Sequence, residues 1–264
     1  MLLKNKVLII KSTLFFILLF GGFIPNTIAQ NNFQKKVFQL SGTDSLLYNI
    51  LYPENFDVNT TKKYPLVLFL HGAGERGNDN EVQIIHIKEL FLNKANRQKY
   101  PCFVIAPQCP KGKKWAEIDW KKENSTMPQN QSISMKMTID LIDSFTKVYP
   151  VDTKRIYITG LSMGGFGTWD AIARYPEKFA AAIPICGGGD ESTVTLIKDI
   201  PIWAFHGDND MVVDVAQSRN MVGALKKAGG KPIYTEYKGV GHNSWVKAYE
   251  ETKLFEWMFG KSRK

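Results

Sequence analysis

From Leu66 onward, short apolar runs alternate with helix-length amphipathic segments, and this rhythm restricts the chain to a mostly parallel sheet covered by helices. Residues 66–70, 103–106, 155–159, 180–185, 202–205 and 233–237 read as strands, each bounded by a turn signal. Residues 133–149, 163–175, 215–228 and 245–259 read as helices. In the first of these, Ile133, Met137, Leu141 and Phe145 recur every four residues and should share one buried face. Two earlier strands, at residues 36–40 and 46–52, are joined by Ser41-Gly42-Thr43-Asp44. That link is too short for a crossover helix, so the pair should form an antiparallel hairpin at the sheet edge. The expected fold is thus an α/β sheet of about eight strands with helices on both faces.

The first 29 residues differ from the rest. Lys4, Lys6 and Lys11 give a basic start, residues 13–24 are almost wholly apolar, and Thr27-Ile28-Ala29 offers small residues for cleavage. This is the pattern of a secretory signal peptide. Twelve apolar residues fall short of the roughly 20 that a membrane-spanning helix needs. The expectation is cleavage after Ala29, a secreted or periplasmic protein, no stable membrane insertion after cleavage, and one catalytic domain over residues 30–264. No internal repeat or low-complexity linker divides that stretch.

Losing three lysines and no acids lowers the formal charge from +9 to +6. The lysines fall in scattered pairs and form no stripe interleaved with aromatic residues, so no nucleic-acid partner is expected. Only Cys102, Cys109 and Cys186 are present; a disulfide is permitted outside the cell without being required. None of their spacings is that of a zinc site, and no metal is expected. The sequence leaves the oligomeric state open.

Gly160-Leu161-Ser162-Met163-Gly164 follows a strand and opens a helix, the context in which G-x-S-x-G becomes a nucleophile turn. A serine hydroxyl near neutral pH needs a base within hydrogen-bond reach and a third group to orient that base. Of the four histidines, His242 lies on a glycine-flexed loop after the last strand and is the candidate base. His71 and His206 each end a strand before a glycine and are read as braces for the loops beside the site; His86 sits in an ordinary polar-apolar segment. Past the seventh strand, Asp210 is the candidate acid, and Asp208 is better placed to stabilise the turn itself. Asp190 and Asp214 are read as structural. The order Ser162, Asp210, His242 is that of the α/β-hydrolase fold. An acyl-transfer enzyme also needs donors aimed at the oxyanion. The backbone N–H groups of Ala73, in His71-Gly72-Ala73-Gly74, and of Met163, directly after the serine, are the candidates.

Five stretches together carry a resemblance. They are residues 71–80 (HGAGERGNDN), residues 106–110 (APQCP), residues 160–169 (GLSMGGFGTW), residues 206–210 (HGDND) and Gly241-His242. In these the chain resembles secreted α/β-hydrolase esterases of the polyhydroxybutyrate depolymerase, feruloyl esterase and bacterial "predicted peptidase" group. The resemblance implies hydrolysis of carboxylic esters through an acyl-enzyme at Ser162, Asp210 and His242, with no cofactor. Small or oligosaccharide-linked acetyl or feruloyl esters are the expected substrates. Trp115, Trp120 and Trp245 are suited to stack on sugar or phenolic rings and equally suited to the core; Trp115 and Trp245 are the substrate-binding candidates. The long segment from Pro107 to Gln131 is expected to shape the pocket.

Two other readings compete. A serine peptidase of the prolyl oligopeptidase kind shares the residue order, but such enzymes usually carry a gating domain, for which 235 residues leave no room. A catalytically silent binding protein on the same scaffold is the third.

Overall fold

A computed structural model describes residues 32–39, 45–122 and 125–264. The expected signal peptide and the hairpin link at residues 41–44 lie outside the described residues. Eight strands form one sheet: β1 (Gln34–Gln39), β2 (Ser45–Leu51), β3 (Tyr64–Leu70), β4 (Phe103–Pro107), β5 (Val151–Leu161), β6 (Ala181–Ile185), β7 (Trp203–Gly207) and β8 (Ile233–Tyr237). Their order is β1-β2-β4-β3-β5-β6-β7-β8. β1 pairs antiparallel with β2, and β2 also pairs antiparallel with β4; all other pairs are parallel. The fold is that of an α/β hydrolase, with the antiparallel edge the short connection demands.

Among the described residues, eight α-helices accompany the sheet: α1 (Lys88–Leu92), α2 (Lys94–Lys99), α3 (Ile133–Val148), α4 (Met163–Arg174), α5 (Val194–Ile197), α6 (Ala216–Lys227), α7 (Trp245–Glu250) and α8 (Leu254–Phe259). Alternate residues of β3 divide between two cores. Leu66, Leu68 and Leu70 pack with side chains of α3 to α6, whereas Val67 and Phe69 pack with α1, α7 and α8. Burial on both faces explains why β3 reads as an unbroken apolar run and not as an alternating one. Among the described residues, no helix is long and apolar enough to cross a membrane.

Two sequence expectations are corrected here. Ile133 does not join the buried face of α3: it is the helix's first residue and is 44% exposed, while Met137, Leu141 and Phe145 are buried. Residues 245–259 form two helices, because Glu251 is extended. A single helix would continue the buried face of Ala248 and Tyr249 through Thr252 and Lys253, both polar and exposed. The break resets the phase so that Leu254, Phe255 and Met258 reach the core.

Candidate active site

Ser162 occupies the single-residue corner between β5 and α4, at φ 53° and ψ −117°. For a residue with a Cβ this is strained backbone, costing about 1–3 kcal/mol. The surroundings hold it there. Ser162 N–H donates to Ile185 O at 2.9 Å, and Phe166 N–H donates to Ser162 O at 3.1 Å. A Cβ on Gly164 would lie 1.9 Å from Leu70 O, and one on Gly160 would lie 2.3 Å from Gly164 O. Only glycine permits strand and helix to approach this closely, and that approach forces the corner.

The loops after β7 and β8 bring the other two residues to the serine. His242 Nε2 stands 3.0 Å from Ser162 Oγ, and His242 Nδ1 stands 2.8 Å from Asp210 Oδ2. The loops hold each other in register: Asn209 N–H donates to Val240 O at 3.0 Å, and Gly239 N–H donates to Asp208 Oδ1 at 2.6 Å. Asp208 thus stabilises the turn, and Asp210 reaches the histidine. The Asp210 side chain is buried, and burial alone would raise its carboxyl. Hydrogen bonds from His206, His242 and the backbone N–H groups of Val213 and Val212 outweigh that penalty and hold it well below the usual carboxylate range. An ionised acceptor on Nδ1 leaves Nε2 free to take a proton from the serine.

The loop that begins with His71 also runs against the serine: a Cβ on Gly72 would stand 3.7 Å from Ser162 Cβ. His71 is fully buried; Cys109 N–H donates to its Nε2 at 2.9 Å, so Nδ1 carries the hydrogen and donates to Gly72 O at 2.6 Å. Burial lowers this histidine to about 4, so it is neutral and ties the loop to the segment after β4. Arg76 Nε donates to Ala73 O at 2.8 Å. Gln108 completes the latch, donating to Glu75 O and Asp79 Oδ1 and accepting from Asn80 N–H. The HGAGERGNDN and APQCP stretches therefore form one hydrogen-bonded frame that fixes the Ala73 backbone beside the serine. Met163 N–H heads α4, where the first N–H groups have no intrahelical acceptor.

The tryptophan expectations divide. Trp115 is fully buried: its Nε1 donates to His71 O at 3.0 Å, and its ring packs edge-on to His71. No face of it is open to a substrate, so its expected stacking role is withdrawn; it is a strut beneath the loop of His71. Trp120 is partly buried, tilted against Phe166, with Lys114 Nζ 4.8 Å above its ring. Trp245 lies beside the site, edge-on to His242 and in ring contact with His86.

Two residues stand closer to Asp210 than the sequence implies, His206 beyond its reading as a loop brace and Cys186 beyond its count among the cysteines. Cys186, at φ 41° just past β6, places its thiol within 4.8 Å of ligand atoms of Asp210 and His242; burial pushes that thiol up to about 12. All three cysteines are unpaired and buried. His206 lies 3.2 Å through Nε2 from Asp210 Oδ2. Both residues sit at carboxyl ends of parallel strands, where such sheets place ligand-facing groups, and that position was the available signal.

A family model described as phospholipase/carboxylesterase matches residues 56–255. The chain is 28% identical over 169 residues to a bifunctional acetylxylan esterase/xylanase of Neocallimastix patriciarum, an alignment covering 64% of this chain and 22% of that protein. It is 29% identical over 136 residues to a poly(3-hydroxyalkanoate) depolymerase of Paucimonas lemoignei, covering 47% and 28%. The chain thus spans about a quarter of the length of these two curated relatives. Among solved structures, a thermostable esterase superposes with a TM-score of 0.81 at 43% identity, covering 89% of this chain and 64% of that one.

Proposed function

The chain belongs to the phospholipase/carboxylesterase family, and on that premise we propose that it is a secreted serine carboxylic ester hydrolase. The observation that carries the reading is the unbroken hydrogen-bonded chain from Ser162 Oγ through His242 to Asp210, set at a strained strand–helix corner. In this mechanism His242 Nε2 takes the serine proton as Oγ attacks the ester carbonyl. Asp210 stabilises the imidazolium, and the Ala73 and Met163 N–H groups receive the oxyanion. His242 then returns the proton to the departing alkoxide. Water, activated by the same histidine, adds to the acyl-enzyme and releases the acid.

Substrates in this reading are small or carbohydrate-linked esters carrying acetyl or feruloyl groups. The acetylxylan esterase relative supports the acetyl case, and the motif resemblance supports both. Trp245, beside His242, is the aromatic group placed to meet a sugar or phenolic ring. Residues 1–29 act as a signal peptide removed after Ala29, delivering the domain of residues 30–264 to the periplasm or medium.

The test is Ser162→Ala. The variant should keep the wild-type melting temperature and lose hydrolysis of p-nitrophenyl acetate and of acetylated xylo-oligosaccharides. Turnover at the wild-type rate would sink the assignment. Assaying a proline-containing peptide alongside separates esterase from peptidase action.

A further inference from the structure

Asp210 is approached by two histidines. Its Oδ2 lies 2.8 Å from His242 Nδ1 and 3.2 Å from His206 Nε2, while Oδ1 accepts from the Val212 and Val213 N–H groups at 2.9 and 3.0 Å. A carboxylate offers about four acceptor sites, so these four donors leave none idle. The His206 side chain has no exposure to solvent, and nothing in the acyl-transfer scheme uses it.

The position of its hydrogen follows from its neighbours. His206 Nε2 faces Val213 O at 3.0 Å as well as Asp210 Oδ2, and neither a carbonyl nor an ionised carboxylate can donate. Nε2 therefore carries the hydrogen. At the other end, Nδ1 meets Ser218 Oγ at 2.7 Å, and that hydroxyl lies 2.9 Å from Gly187 O. Because Nδ1 then carries no hydrogen, the Ser218 hydroxyl must donate to it, which anchors the ring from α6 and leaves its Nε2–H shared between Val213 O and Asp210.

We propose that His206 is a positioning residue for the acid of the site, one whose Nε2–H shares Asp210 Oδ2 with His242. This rests on the hydrolytic reading above. Two effects follow from the shared oxygen. The carboxylate is held from both sides, so it stays in the plane that His242 Nδ1 requires. A donor on the same oxygen also draws charge away from His242, which limits how strongly Asp210 retains the imidazolium. Other titratable groups face this pair from neighbouring elements. They are the Cys186 thiol past β6, protonated by burial, and Glu236 on β8, which is engaged with Arg219.

The experiment compares wild type, His206→Leu and His206→Gln across pH with p-nitrophenyl acetate. The Leu variant removes the donor; the Gln variant restores an N–H of similar reach. In the Leu variant kcat should fall about tenfold with KM little changed. The acid limb of kcat/KM should move upward by roughly half a pH unit or more, because an unshared Asp210 stabilises protonated His242. The Gln variant should recover much of both. A rate loss with the limb unmoved and no recovery in Gln would reduce His206 to a packing residue and overturn the proposal.

A measurement on the unmutated protein covers the case in which the Leu variant does not fold. Nitrogen-15 NMR of the histidine rings should show His206 protonated at Nε2 throughout the active pH range, and a ring protonated at Nδ1 alone would refute the shared hydrogen bond. That readout is independent of turnover. Survival of activity in Ser162→Ala would remove the hydrolytic reading while leaving the tautomer result to stand by itself.

Discussion

The indole of Trp245 stands edge-on to the imidazole of His242, with ring centroids 5.3 Å apart and planes at 89°. Trp245 also contacts the His86 ring at 5.2 Å, and His86 Nε2 lies 3.4 Å from Glu75 Oε1. The proposed base is thus walled on one side by an aromatic group that is itself held. Aromatic pairs of this kind contribute about 0.5–1.5 kcal/mol beyond area burial. Trp245→Ala should lower kcat/KM for p-nitrophenyl acetate by roughly three- to tenfold. Trp245→Phe should retain most of the rate, since a ring remains against the imidazole. Steady-state kinetics of the two variants check this; equal losses would show that contact with His242 is not what Trp245 contributes.

Asp210 links activity to acid stability. Its folded carboxyl lies below the ordinary value near 3.9, so its contribution is fully present above that value and is lost as pH falls toward the folded one. Asp210→Asn should reduce kcat by about four orders of magnitude, as loss of the orienting acid does in serine hydrolases. Its melting temperature should lie below wild type at pH 7, and the gap should begin to narrow below about pH 4. Thermal melts of both proteins from pH 3 to pH 7 give the comparison.

The corner at Ser162 predicts opposite outcomes for two glycine substitutions. A methyl on Gly164 would meet the Leu70 backbone, which cannot swing aside, so Gly164→Ala should cost about 3 kcal/mol or more, or prevent folding. In α6, a Cβ on Gly223 meets nothing within 4 Å. Gly223→Ala should stabilise by roughly 0.5–1 kcal/mol through helix propensity and unfolded-state entropy. Urea denaturation of both variants separates the cases.

Trp115→Ala should behave as a core deletion and not as a binding-site change. Removing a fully buried indole that also supplies a hydrogen bond to His71 O should cost about 3–5 kcal/mol. Activity should fall with the folded fraction, and acyl-chain selectivity among p-nitrophenyl esters should not change. A selectivity switch in a fully folded variant would return Trp115 to the substrate.

The readable parts of the sequence were those governed by local rules. β8 falls at 233–237, as its turn signals mark it, and α4 begins at Met163, where the glycine-flanked serine ends the strand. Ser162, Asp210 and His242 are legible as candidates because each follows a strand and the three stand in a recognisable order, and the structure brings their side chains within hydrogen-bond distance. Residues answering to long-range geometry were not readable. Trp115 has the same local look whether it faces a sugar or plugs a core, and only the path of its loop decides. His206 was read as a loop brace, and its spacing from Asp210 does not reveal that its ring turns back onto the carboxylate. The split of residues 245–259 escaped because a run of apolar and polar residues sets a period without showing a change of phase.

The segment between β4 and α3 closes on itself at its base: Ser132 Oγ donates to Trp115 O at 2.7 Å and accepts from Met135 N–H at 3.0 Å, while Trp115 is pinned beneath His71. Between those ends the described part of the loop is tied to the scaffold as well: Arg174 donates to Pro128 O and Gln129 O, Gln217 Nε2 to Lys122 O, and Met127 N–H to Asp190 Oδ2, while Ala116 and Ile118 are buried against Phe166 and Val213. A loop grafted from another esterase between an intact Trp115 and an intact Ser132 would therefore have to supply new partners for Arg174, Gln217 and Asp190. The loop and the scaffold it rests on are thus bound to change together, so a rebuilt loop brings with it a rebuilt interface on the helices below.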